Sequence, residues 1–254
     1  MAKSSTPPPN VAIASLDARK QSMFNLMAPG PGTPWEDRGS IGVIGAFFKT
    51  AFQSMFKPVQ LLDSIRRPET GGDAFSFAIG CGLMWGLSAI VHGYLYYRKV
   101  LHLEQTTQGS TKVDQWFVSG QLFFILCAVA AVLAVIGALF FQKLGAKIYY
   151  AMVATEMTSK APPILVVNIF GYCLGPSLVA PVPYIGPPLA VTWILIALIV
   201  GGVSRLKVSM KGAMIGALVS VFAMVGMFAG VWFVAAQLPP HAVTKEPPLI
   251  RGRR

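Results

Sequence analysis

The chain has 254 residues, of which 54% are hydrophobic and only 12% are charged, and its formal net charge is +11. Charged residues make up about a quarter of an ordinary soluble protein, so this chain has about half the usual share. The positive charge is spread over segments that flank apolar runs, with no basic helix or RNA-binding motif to receive a nucleic acid. These features exclude an ordinary soluble domain and predict an integral membrane protein with no nucleic-acid partner.

The N-terminal segment, residues 1–34, is rich in Pro, Ser and Gly and poor in large apolar side chains. Such a composition cannot bury enough apolar surface to offset the entropy of folding, so we expect this segment to be disordered. It also lacks the continuous apolar core of a cleavable signal peptide.

Residues 35–67 are predicted to form a cytoplasmic amphipathic region. Its apolar side chains recur at helical spacing, and the predicted membrane-interface face consists of Ile41, Ile44, Phe48, Phe52 and Met55. The opposite face carries Lys49, Gln53 and Lys57. Such a helix either lies in the interface of a bilayer or packs with the same apolar face on the protein's own helices, and the pattern alone supports both interpretations.

Five uncharged stretches within residues 68–240 predict five transmembrane helices. The first two run from about Ala74 to Tyr97 and from about Trp116 to Phe141, and the last runs from about Ala213 to Leu238. The stretch 161–204 is too long for one crossing of a hydrocarbon core about 30 Å thick, and prolines interrupt its centre, so it predicts a tight helical hairpin. The predicted fold class is therefore all-α: a polytopic bundle of five transmembrane helices with an N-terminal interfacial helix.

The distribution of basic residues predicts the orientation. Two thirds of the 21 Lys and Arg residues fall on the side that contains the N-terminus, which places that side in the cytoplasm. Five spans then put the basic C-terminal tail, residues 241–254, outside the cytoplasm, where such charge is disfavoured. A re-entrant span would bring the tail back inside.

Motifs for catalysis or cofactor binding are absent from the sequence. It has no HExxH, GxSxG, phosphate-binding loop or dinucleotide-binding motif, and no acidic residue falls inside a predicted span. Cys81, Cys127 and Cys173 lie in three different spans, as inert buried thiols do and clustered zinc ligands do not. We therefore predict a protein that is not an enzyme, with no catalytic residues, no cofactor, no metal and no small-molecule substrate.

Small residues and isolated polar residues within the spans predict helix contacts. Small-xxx-small pairs let helices approach closely, and we favour packing within the chain over dimerisation. These pairs are Gly82 with Gly86, Gly212 with Gly216, and Gly226 with Gly230. His92 is expected at a membrane interface, and Asn168 is expected to bridge helices.

Prolines and glycines interrupt the third predicted span repeatedly. Broken helices of this kind form substrate sites in some transporters, and they also act as kinks that shape packing; we favour kinks. The alternative function is a small transporter or channel subunit with a hydrated path near Asn168, Tyr172 and Thr192. A second alternative is an accessory subunit of a larger membrane complex.

The same span contains Phe170-Gly171-Tyr172-Cys173-Leu174-Gly175-Pro176, which resembles the GYxxxP signature of the Yip1 domain family. The resemblance extends over roughly residues 34–238, through PWEDRGSIG, FFKTAFQSMFKP and RLKVSMKGA. In this comparison the motif residues are Gly171, Tyr172 and Pro176. ETGGDAFSF stands where eukaryotic members carry a DLYGP-like element, so the resemblance is to the bacterial branch.

The resemblance implies a non-enzymatic multi-pass scaffold of the bacterial inner membrane. Eukaryotic members of the family act in vesicle traffic between the endoplasmic reticulum and the Golgi and associate with Rab-type GTPases and with one another. The expected partners of this chain are the lipid bilayer and other membrane proteins, including copies of itself.

Overall fold

The computed structural model describes residues 28–106, 120–157 and 161–237. These residues form helices and no strand, which confirms the all-α prediction for this part of the chain. The short N-terminal helices are α1 (Arg38–Ile41), α2 (Val43–Phe56) and α3 (Pro58–Asp63). The remaining helices are α4 (Gly72–Thr106), α5 (Gly120–Phe140), a π-helical turn (Phe141–Gly145), α6 (Ala146–Val153), α7 (Pro163–Cys173), a 3₁₀ turn (Gly175–Val179), α8 (Gly186–Ser204) and α9 (Met210–Gln237).

Three segments of the described residues are long and apolar enough to cross a membrane: Gly72–Leu95, Ala128–Val153 and Gly186–Ser204. Pro163–Val179 and Met210–Ala223 are apolar but shorter. The chain therefore has the helices that an integral membrane protein needs.

The long helices run alternately up and down. An added Cβ at Gly82 would lie 2.6 Å from the Val135 Cα atom, and one at Gly86 would lie 2.7 Å from the Ala131 Cα atom, so α4 and α5 are antiparallel and in close contact. The Gly82/Gly86 pair thus serves packing within the chain. Gly216 has the same role, because an added Cβ there would meet the Tyr149 and Val153 side chains at 3.0 to 3.1 Å.

The uncharged stretch 161–204 folds as the predicted helical hairpin. α7 with its 3₁₀ turn and α8 are joined by a turn over residues 180–185, and this turn is fixed to α4. The Ser88 hydroxyl donates to the Ala180 carbonyl at 2.8 Å, and the Tyr184 backbone N–H donates to His92 Nε2 at 3.2 Å. We call this the turn end of the bundle, and we call the opposite end, where α4 begins and α8 finishes, the arginine end.

The prolines of the third predicted span lie at the ends of α7 and not within it. Pro162 and Pro163 occupy the N-cap and the first helical position, where a missing N–H costs nothing. Pro176 lies in the 3₁₀ turn, and Pro181 and Pro183 lie in the connection to α8. The predicted kinks inside this helix are therefore wrong; the prolines mark where the α-helix begins and where it tightens and stops.

The second predicted span was expected to end near Phe141, but the helix continues to Val153. Two observations explain the continuation. The π-helical turn buries Gln142 completely, and the next helix buries Ala146 and Tyr149 against α7 and α9. Lys143 and Lys147 therefore belong to a helix with one buried face. Their charge indicated the end of the span and not a continuing helix.

α7 is at the centre of the core. Eight of its eleven residues are buried, and the rings of Phe170 and Tyr172 are fully enclosed. By contrast, α5 presents an outward row of exposed aliphatic and aromatic side chains, as a lipid-facing helix does. This row consists of Val129, Val132, Leu133, Ile136 and Phe140.

Candidate membrane-interface site: the α2–α3 pair docked on α7

Gly171 allows α7 to touch two neighbours at once. A Cβ built on Gly171 would lie 2.5 Å from Gln142 Nε2 and 2.9 Å from both the Cβ atom and the carbonyl oxygen of Ala74. Since a carbonyl oxygen belongs to the backbone of α4, it cannot move aside as a flexible side chain can. The first residue of the resembled motif is therefore a contact point between α4, the π-helical turn and α7.

Tyr172 connects α7 to the N-terminal segment. Its ring is buried 5.7 Å from the Phe77 ring, and its hydroxyl accepts a hydrogen bond from the Thr33 hydroxyl at 3.3 Å. Its backbone carbonyl, in the last turn of α7, accepts from the Ser54 hydroxyl at 2.8 Å. Tyr172 thus binds both the loop before α1 and the last turn of α2.

Gly175 and Pro176 shape the surface on which α2 lies. An added Cβ at Gly175 would be 2.6 Å from Ser54 Cβ and 3.0 Å from the Ala51 Cα atom, so the backbones of α2 and the 3₁₀ turn are in contact. Pro176 is buried at the start of that turn, where it supplies no N–H. All three motif residues therefore serve packing around α7.

α2 docks on the bundle through a face that its apolar pattern does not mark. Its buried residues are Ala46, Phe47, Thr50, Ala51 and Ser54. They recur at i, i+4 and i+8, and the signal that could have found them is the row of small residues, which permits close approach in a membrane protein. A search for a row of large apolar side chains does not find a face made mostly of small and hydroxyl-bearing residues. The docking face therefore could not be predicted in that way.

The predicted interface face of α2 is left largely uncovered. Ile44 is 75% exposed, Phe48 42% and Phe52 50%, whereas Met55 is only partly exposed. Ile41, Phe56 and Val59 continue the exposed row. Within the described residues, a different face of α2 packs on the protein's own helices. We call Ile41, Ile44, Phe48, Phe52 and Phe56 the apolar stripe.

The α2–α3 pair begins and ends at the arginine end but extends along the bundle between. Just before the pair, Arg38 of α1 binds Asp73 at 2.7 Å, and at the end of the pair Asp63 lies 3.6 Å from Arg205. Between these points Phe47 packs against Gly80 and the Met55 carbonyl accepts a hydrogen bond from the Trp193 indole at 3.0 Å.

The positions of these contacts give the depth of the pair. With a rise of about 1.5 Å per residue, Gly80 lies about 12 Å from the start of α4 and Trp193 about 16 Å from the end of α8. The C-terminal end of α2, near Met55, which we call the α2 tip, therefore lies on the order of 10 Å from the arginine end, measured along the long helices.

Residues 28–34, part of the stretch predicted to be disordered, are paired with the chain after α3. Gly30 N–H donates to the Ile65 carbonyl and Gly32 N–H donates to the Ser64 carbonyl, both at 2.7 Å. Residues 35–67 are likewise packed on the bundle rather than separate from it. The rest of the N-terminal segment, residues 1–27, and the tail 241–254 lie outside the described residues.

The polar residues proposed for a transport path do not share one. Asn168 is buried, and its amide donates to the carbonyls of Pro68 and Thr70 at 2.9 and 3.0 Å. Tyr172 is enclosed, and Thr192 points outward with its hydroxyl on the Pro188 carbonyl of its own helix. Asn168 therefore binds the linker before α4, which is a different partner from the helix we expected.

The described residues contain no group of three or more His, Cys, Asp or Glu side chains placed to hold a metal ion. Cys81 and Cys173 are free and buried, and the Cys127 side chain lies outside the described set. No family model, curated protein or solved structure matches this chain.

Proposed function

We propose that this chain is a non-enzymatic membrane protein of the Yip1 type that organises a membrane or a membrane complex. α4, α5, α7, α8 and α9 are its five crossing helices, the N-terminus is cytoplasmic, and the membrane is the bacterial inner membrane. The apolar stripe of α2 inserts obliquely into the leaflet at the arginine end. A single observation carries this proposal: α2 is anchored on the bundle by one face and offers a second, apolar face to the surroundings.

Lipid acyl chains are the occupant that we propose for the stripe. The α2 tip lies on the order of 10 Å along helices that suit membrane insertion, so the deepest stripe residues, Phe52 and Phe56, would reach the acyl region. Their rings stack on each other at 6.3 Å and form one apolar surface. Lys49 and Lys57 are exposed beside the stripe, and their long stems allow the ammonium groups to reach the headgroups.

An insertion on one side only would expand one leaflet relative to the other. Amphipathic helices that bury an apolar face at the acyl boundary are sensitive to curvature for this reason. The bundle holds α2 in place through the Ser54–Tyr172 bond and the Trp193–Met55 bond, so the inserted helix would move with the whole protein. Membrane shaping and recruitment to curved regions follow from this arrangement.

Nitroxide accessibility in proteoliposomes tests the insertion. In a Cys127→Ala background, spin labels at Phe48→Cys and Phe52→Cys should be reached by oxygen in the bilayer and protected from a polar nickel reagent. Labels at Lys49→Cys and Gln53→Cys, on the adjacent face of the same helix, are the matched controls. They should be reached by the polar nickel reagent and be less accessible to oxygen in the bilayer. Equal accessibility at all four positions would contradict insertion, and protection from both reagents at 48 and 52 would show a protein partner instead of lipid.

Vesicle size tests the organising role. Reconstituted wild-type protein should lower the mean diameter of vesicles as the protein-to-lipid ratio rises, and the Phe48→Glu/Phe52→Glu variant should lose this effect while remaining membrane-integrated. Val182→Glu/Ile185→Glu adds the same charge to exposed apolar residues at the turn end and should behave as wild type. If the Phe48/Phe52 variant shaped vesicles as wild type does, the role of α2 would be refuted.

A further inference from the structure

The arginine end contains a polar cleft beside the start of the apolar stripe. The cleft has a volume of about 360 Å³, and it is lined by Glu36, Arg38, Gly39, Arg66, Arg67 and Asp73. It lies where α1 and the linker between α3 and α4 meet. Three guanidinium groups and two carboxylates therefore face one small space.

Both carboxylates are already engaged. Asp73 accepts from Arg38 Nη1 at 2.7 Å. Glu36 accepts the backbone N–H of Thr33 at 2.6 Å and that of Arg66 at 3.1 to 3.2 Å. The negative charges of the cleft are thus neutralised or bound to backbone donors.

The arginines keep donors to spare. Arg66 is largely used, because Nη2 donates to Asp37 and to the Pro31 carbonyl and Nε donates to the same carbonyl, which leaves Nη1. Arg38 is held over the Trp35 ring at 5.2 Å, and among the described residues its Nε and Nη2 atoms make no hydrogen bond. The exposed Arg67 side chain has no hydrogen-bond or ion-pair partner within the described ranges. The cleft therefore offers unused guanidinium donors to an anion with several acceptor oxygens.

We propose that this cleft binds a phosphate group, as the phosphomonoester headgroup of an anionic lipid or as free phosphate. Arginine forks bind phosphate oxygens two at a time, and the free donor pairs of Arg38 and Arg67, with the remaining Nη1 of Arg66, match a tetrahedral dianion better than a planar carboxylate. The stripe begins with Ile41 and Ile44, just after the cleft-lining Gly39, so a lipid headgroup in the cleft would have its acyl chains beside exposed apolar side chains. The lipid source rests on the proposed insertion of α2; the phosphate chemistry does not.

Calorimetric titration of the full-length protein in a non-ionic detergent tests this site. Dihexanoyl phosphatidic acid and inorganic phosphate are the two probes, and dihexanoyl phosphatidylcholine, which has no net charge, is the matched lipid control. Arg67→Gln should weaken phosphatidic acid binding by about tenfold, as expected for the loss of one charged hydrogen-bonding group. Arg67→Lys, which keeps the charge but not the fork, should give an intermediate loss.

Lys211→Gln removes one exposed charge from the same end of the bundle and should change binding less than twofold. An equal loss in Lys211→Gln and Arg67→Gln would overturn the site, because it would reveal general attraction of anions. Unchanged binding in Arg67→Gln would also overturn it. If inorganic phosphate displaced phosphatidic acid at an equal concentration, free phosphate would be identified as the ligand. If it did not displace phosphatidic acid, the ligand would be identified as a lipid.

The failure of this site and the failure of α2 insertion give different results. Arg67→Gln should leave the accessibility of labels at positions 48 and 52 unchanged, since Arg67 has no described contact with α2. Polar accessibility at positions 48 and 52, combined with a tenfold effect of Arg67→Gln, would refute insertion and keep the phosphate site. If labels at positions 48 and 52 were reached by oxygen in the bilayer and Arg67→Gln had no effect on binding, the phosphate site would be refuted and the insertion of α2 would be kept.

Discussion

Gly171 has room for a hydrogen atom and nothing larger, because the Ala74 carbonyl oxygen and the Gln142 amide lie within 3 Å of the place where a Cβ would be. Gly171→Ala should therefore push α7 away from α4 and lower the free energy of unfolding by about 1–3 kcal/mol, the usual cost of overpacking a core. Thermal unfolding of the detergent-solubilised protein measures this.

The control for that substitution is Gly226→Ala in α9, where an added Cβ meets nothing within 4 Å. Alanine has the higher helix propensity, so this variant should be unchanged or more stable by up to about 1 kcal/mol. If Gly171→Ala matched Gly226→Ala, the close approach of α7 and α4 would not limit stability.

Single residues were the hardest feature to infer from the sequence. Gly171, Tyr172 and Pro176 were found as a motif, but only the three-dimensional contacts show what each one touches. Gln142 gave no signal at all, because a glutamine beside Lys143 is typical of a helix end and not of a fully buried position. Its burial comes from tertiary packing against α7, to which local patterns are blind.

At the scale of elements, the turn between α7 and α8 depends on His92. The His92 Nδ1 atom lies 2.7 Å from the Ser88 carbonyl, so this nitrogen carries the proton and Nε2 is the acceptor for the Tyr184 N–H. Tyr184 has a backbone φ of 64°, a conformation that costs free energy for a residue other than glycine and that needs support from neighbours.

His92→Ala removes that acceptor and should speed amide hydrogen exchange at Tyr184 by about five- to tenfold, the loss of one hydrogen bond. Thr192→Val, which removes a hydroxyl bonded only to its own helix, should leave the exchange at Tyr184 unaltered. Hydrogen exchange followed by mass spectrometry of the peptide that contains the turn gives both rates. An unchanged rate in His92→Ala would mean that the His92 hydrogen bond does not protect the turn.

Helices could be predicted from the sequence where charge and hydropathy change sharply along the chain. The hairpin in 161–204 and the helix beginning near residue 43 are both present, because long uncharged runs and helical spacing reflect the solvent that each face meets. The end of the second span and the docking face of α2 could not be predicted in this way. Both are decided by contacts between elements: Tyr149 against Phe170 in the first case, Ala51 and Ser54 against Gly175 in the second.

For the whole molecule, the proposed crossing of the bilayer depends on the separation of its two ends. α8 alone places the turn end about 28 Å from the arginine end, close to the thickness of a hydrocarbon core. Tyr184, 79% exposed, marks the turn end, and Lys211, in the first turn of α9, follows the arginine end directly. A bundle inserted across a bilayer must show these two residues to opposite sides.

Cysteine labelling measures this arrangement in native membranes. In a Cys127→Ala background, where Cys81 and Cys173 are buried and shielded, a membrane-impermeant maleimide should modify Tyr184→Cys only in right-side-out vesicles. It should modify Lys211→Cys only in inverted vesicles, because the proposed orientation, which follows the positive-inside bias, has the arginine end in the cytoplasm. The exchanged pattern would keep the crossing helices and reverse the orientation. Labelling of both positions from one side would mean that the α7–α8 hairpin does not cross, and with it the five-helix arrangement and the inserted position of α2 would fail together.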